Sequence, residues 1–147
     1  MEIGNTYYAM CDMDQAIRIY ETIIRSLDEG YMDVKNAEEL KLINLANLAR
    51  PLGKLGRYEE ALAKTQEGLA MAVGCGYAHA LVELLMGVAG NRLKLTKTME
   101  DSEMQKQELR EIKRMMRQAY YIAAARKDAY NQKLINENIR YHFGDEM

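Results

Sequence analysis

The chain carries one arrangement of large, small and polar positions twice. Ile3-Gly4, with Tyr7 just beyond, leads into Cys11-Asp12-Met13-Asp14-Gln15-Ala16 and then Tyr20 and Ile23. Leu48-Ala49, with Leu52 just beyond, leads into Gly56-Arg57-Tyr58-Glu59-Glu60-Ala61 and then Thr65 and Gly68, at a constant offset of 45 residues from Ala16 to Ala61. Each block reads as a helix, a short turn and an antiparallel helix. Two such helices approach closely only where small side chains mark the crossing, with large residues at i±3 and i±4 filling the grooves. Gly4, Ala16, Ala49 and Ala61 are the small crossing positions on this reading. Gly56 ends a helix in the left-handed conformation that other residues resist.

The same pattern predicts helices over residues 1–10, 13–28, 37–55, 58–73, 77–95, 103–126 and 128–142. A third pair joins Leu85, Val88, Ala89, Arg92 and Leu95 to Ile112, Met116, Ala119 and Tyr120 across a polar loop at 96–102. Asn36 with Glu39 reads as a capping box, and Asp128 suits the positive start of the last helix. Pro51 removes a backbone bond to Asn47, which predicts a bend or a ragged last turn. Residues 68–90 are nearly free of charge, but Gly74-Cys75-Gly76 divides them into two buried helices rather than one membrane span.

Composition sharpens this to an all-α chain. Of 147 residues, 48% are apolar and one is Pro, so a sizeable helical core is affordable. Twenty Lys and Arg against 22 Asp and Glu give a net charge of −2, with no general basic face for nucleic acid. Cys11 and Cys75 lack a CxxC spacing and read as free thiols in a reducing cytoplasm. No basic segment followed by an apolar stretch opens the chain, so no signal peptide is expected.

These blocks resemble the tetratricopeptide repeat, a helix-turn-helix unit of about 34 residues with the pattern W-x2-L-G-x2-Y, then A-x3-F, then P. The stretch from Gly53 to Leu62 carries the most specific part of the likeness, and Ile3 to Tyr20 repeats it. Leu45 stands at the Trp place, Thr65 replaces the large aromatic and Val73 the closing Pro. The resemblance implies a right-handed α-α superhelix of about three helix pairs plus a C-terminal capping helix. One domain would span 1–147: a truncated first repeat at 1–30, a second at 34–74, a third at 77–126 and the last helix at 128–142. The lengthened repeats also resemble the C-terminal arrays of bacterial peptide-sensing regulators that carry an N-terminal DNA-binding helix-turn-helix. The first unit opens part-way through its pattern, which is expected of a piece of a longer protein or a truncated relative; a native start whose open end a partner or second copy covers is the alternative.

The chain shows no set of residues spaced for chemistry. His79 and His142 have no HExxH, CxxC, GxSxG or Walker-type setting, so no catalytic residue, metal or cofactor is expected. Cys75 has only His79 nearby as a base. Tyr7, Tyr20, Tyr58 and Tyr120 fall on packing positions. Lys106, Arg110, Lys113, Arg114 and Arg117 form a basic strip interrupted by Glu108 and Glu111, which reads as a solvated face.

What remains is the concave surface that the resemblance implies for the first helix of each pair. It holds Asn5 in the first block, Asn44, Asn47, Arg50 and Lys54 in the second, and Glu83, Gly87, Gly90 and Asn91 in the third. An Asn amide both donates to and accepts from a peptide backbone. A peptide or protein segment in this groove is therefore the expected partner, with neither nucleic acid nor membrane contacted. A dimerising or assembly element without a small peptide ligand is the rival reading. The carboxylate clamp of some tetratricopeptide proteins fits poorly, because Met1, Glu83 and Gly87 stand where its basic residues belong.

Overall fold

The computed structural model describes residues 12–30 and 37–144, except the side chains of Cys75, Ala78 and His79. Gly4, Asn5, Tyr7, Cys11, Asn36 and the expected helix at 1–10 therefore lie outside the described residues. Six helices follow in order: α1 (Met13–Asp28), α2 (Ala37–Lys54), α3 (Tyr58–Cys75), α4 (Ala78–Thr96), α5 (Ser102–Ala125) and α6 (Ala129–Phe143). Among the described residues there is no strand, so the chain is all-α.

Local chemistry sets the ends. Asp12 accepts from the Gln15 N–H at 3.2 Å, Asp101 from those of Glu103 and Met104, and Asp128 from that of Asn131. Each satisfies donors that a helix start leaves open. Gly56 and Gly76 adopt φ of 76° and 74°, which lets the chain reverse after α2 and after α3. The uncharged stretch at 68–90 is thus two helices meeting at Gly76, and no described helix is long and apolar enough to cross a membrane. Pro51 is buried within α2, which continues past it to Lys54.

Each helix packs on the next, and α2 also touches α4. The core accordingly forms a row of patches. Ile17, Tyr20 and Ile24 of α1 meet Leu45, Leu48 and Leu52 of α2 and Ala61 of α3. Leu42 of α2 meets Ala72 of α3 and Leu84 of α4. Leu85 and Ala89 of α4 meet Ile112, Met116 and Ala119 of α5, with Ile135 and Ile139 of α6 closing the far side. Burial of this kind stabilises by roughly 1.5–3 kcal/mol per large apolar side chain.

Ala16 and Ala61 are fully buried, as small crossing residues should be. Ala49 is only half-buried and faces a groove. The tight contact beside α2 is made instead by Gly68 of α3, where an added Cβ would meet Leu84 Cδ2 at 2.8 Å and Leu45 Cβ at 3.4 Å. Two polar ties reinforce the stack. Lys41 Nζ lies 2.8 Å from Asp28 and 3.5 Å from Glu67, joining α2 to both neighbours. The hydrogen bond to Asp28 outweighs desolvation and holds the Lys41 ammonium above its ordinary pKa. Arg92 of α4 pairs with Glu108 of α5 and also donates to Met115 Sδ at 3.2 Å.

Candidate functional site

Every second helix faces one groove. The middle of α2 and the first half of α4, with α6 beside them, line a cavity of about 660 Å³ that includes Asn47, Arg50, Glu83 and Asn138. The second halves of α2 and α4 line an adjoining cavity of about 520 Å³, with Lys54, Tyr58, Asn91 and Lys94. Ala49, Arg50, Met86 and Gly87 belong to both, so the two form one trough. Residue numbers rise in the same direction on both walls, so α2 and α4 run parallel along it.

The floor is open because side chains are missing there. Gly87 presses against Thr65 of α3, whereas an added Cβ at Gly90 would meet nothing within 4 Å. Gly53 on the opposite wall is likewise open. Met86 and Tyr58 supply apolar surface, and Tyr130 and Leu134 of α6 supply more at the other end.

The proposed groove residues divide into distinct settings. Asn47 is half-buried on the wall, and among the described residues its amide has no hydrogen-bond partner. Arg50 sits at the junction of the two cavities, and Lys54 lines the second. Neither Lys54 nor Lys94 has an ion-pair partner among the described residues. Asn91 is 8% exposed, and its Nδ2 donates to the Gly87 carbonyl at 2.8 Å. Asn44 is fully buried and lines neither cavity. Its Nδ2 donates to Leu40 O at 2.8 Å, and its Oδ1 is left without a partner. Asn5 lies outside the described residues.

No protein-family model, curated protein or solved structure matches this chain. The groove must therefore be read from its own geometry.

That geometry adds residues the sequence reading did not place there. Tyr130, Asn131, Leu134 and Asn138 enter the wall because α6 occupies the same alternate place in the stack as α2 and α4. The number of intervening helices was the available signal. Asn131 Nδ2 is engaged by the Asp128 carboxylate at 2.6 Å, and Asn138 Nδ2 by Leu134 O at 2.9 Å.

Tyr20 is buried, while Tyr58 and Tyr120 are half-buried. On α5, Lys106 and Arg114 pair with Glu103 and Glu111 one turn away, and Lys113 sits 5.8 Å above the Phe143 ring. Among the described residues no group of three or more His, Cys, Asp or Glu is placed to hold a metal ion. His142 stays neutral more readily than usual, because burial and then the charges of Lys97 and Lys94 push its pKa down.

Proposed function

We propose that this chain is a non-enzymatic peptide- or protein-binding module of tetratricopeptide type, with an extended segment held in the trough between α2 and α4. The observation that carries the reading is that alternate helices line one continuous groove, with a half-buried and unpartnered Asn47 amide on its wall. No described protein group engages that amide, so it is available to donate to and accept from a ligand backbone. The paired helices, the small residues at Ala16 and Ala61 and the row of core patches support a superhelical array. In the larger protein we picture, a bacterial regulator, the array senses or scaffolds and another domain acts on the signal.

The test is selection of decapeptides from a random displayed library on the immobilised full chain, with Gly90→Leu as the blocked control. The open space at Gly90 lets the variant fold while its side chain fills the trough. Peptides that bind the native chain and lose at least tenfold on Gly90→Leu support the reading. Peptides that bind both equally, or an absence of any selected peptide, contradict it.

An assembly role draws on a different observation. Tyr130, Leu134 and Tyr141 are 73%, 38% and 85% exposed and share one face of α6, the last described helix. Sedimentation at several concentrations separates the two readings: concentration-dependent association lost in Tyr141→Ser supports assembly, and a strict monomer ends it.

A further inference from the structure

The trough is electrically lopsided. Its second cavity is lined by Arg50, Lys54 and Lys94 and by no acidic side chain, whereas the first contains Glu83. Lys54 and Lys94 lie in the last turns of α2 and α4, where a cation also offsets the helix dipole. That placement explains one positive charge at each helix end. It does not explain why both face the same trough together with Arg50, which lies a turn earlier.

Building on the peptide-binding reading, we propose that the groove's occupant is an internal acidic stretch, with two carboxylate side chains on alternate residues seated against Arg50, Lys54 and Lys94. The spacing favours side chains over a chain terminus. Arg50 and Lys54 are four residues apart on one helix, a rise of about 6 Å. Alternate residues of an extended segment repeat at about 6.6–6.8 Å on one face. Two acidic side chains therefore reach both cations at once, with Lys94 facing them from the other wall, while a single terminal carboxylate meets only one of them. Apolar contact follows from Met86 and Tyr58, which border the same cavity. Flanked by low-dielectric walls, the cluster also focuses field and speeds capture of an acidic segment.

The selected decapeptides decide this. Peptides whose binding depends on an open Gly90 site are expected to carry Asp or Glu at positions i and i+2 beside an apolar residue. Fluorescence anisotropy with a labelled representative should show a loss of at least tenfold on replacing those acids by Asn or Gln, and a comparable loss in the Lys54→Gln/Lys94→Gln variant. An amidated C-terminus should leave affinity unchanged. Groove-dependent peptides that are neutral or basic, or that are indifferent to Lys54→Gln/Lys94→Gln, overturn the acidic-segment proposal while leaving the peptide-binding reading intact. Loss on amidation assigns the cations to a terminus and likewise overturns it. Selected peptides insensitive to Gly90→Leu, or no selected peptide at all, overturn both.

Discussion

Thr65 of α3 and Gly87 of α4 form a close crossing between those helices: a Cβ on Gly87 would stand 2.9 Å from Thr65 Cγ2. The Thr65 hydroxyl is occupied by the Ala61 and Leu62 carbonyls at 2.9 and 3.0 Å, so its methyl is held toward the glycine. Gly87→Ala should therefore overpack the crossing and cost about 1–3 kcal/mol, less the helix preference it gains. Thr65→Ser removes the opposing methyl. The double variant should recover about 1 kcal/mol relative to the sum of the singles, measured by urea unfolding. Additive singles would show that the two residues do not press on each other.

Asn44 presents a second buried feature with a clear sign. Its Oδ1 is buried without a partner, so the native state bears the cost of a desolvated carbonyl. Asn44→Leu keeps the branched shape and removes that cost, and should raise stability by about 1–2 kcal/mol. Peptide affinity should not change, because Asn44 lines neither cavity. Melting followed by circular dichroism checks the first part and anisotropy the second.

Lys127 has φ of 57°, the only non-glycine residue in the left-handed region among the described residues. Lys127→Gly should stabilise by up to about 1 kcal/mol, since glycine adopts that conformation without crowding. Gly56→Ala should do the reverse: its Cβ meets nothing within 4 Å, so its cost of about 1–2 kcal/mol is conformational. Opposite shifts in urea midpoint with unchanged m-value are the expected signature.

His142 gives a pH dependence with a definite direction. Its pKa in the fold lies below 6.5, the value it would approach in the unfolded chain, chiefly through burial. The unfolded chain therefore binds the proton more readily, so this group's stabilisation is full above that value and is lost as pH falls toward the folded pKa. The melting temperature should drop between pH 7.5 and 5.5, and His142→Gln should flatten part of that drop. An identical profile in the variant would assign the slope to other groups.

Much of the architecture was legible because its signals are local. Asp12, Asp101 and Asp128 cap helices through their own side chains, and Gly56 and Gly76 turn the chain by their own conformational freedom. Helix limits read from the sequence accordingly fall within two residues of α1 to α6. The groove was less legible. Asn44, Asn47, Arg50 and Lys54 look like one ridge, but each step of three residues falls about 60° short of a full turn. Asn44 is thus rotated about 120° from Arg50, into the core. Ala49 has the same problem in reverse, since its small side chain served the groove and Gly68 served the crossing. The contribution of α6 depends on how the helices stack, which no single segment encodes.

The most direct test of the central claim is to add a selected, labelled-free decapeptide to the ¹⁵N-labelled full chain and follow backbone amide shifts. Binding in the trough predicts perturbations at Asn47, Arg50, Gly87, Gly90 and Asn91, along α2 and α4. Perturbations confined to the outward faces of α3 and α5, around Glu67 and Arg114, would contradict it.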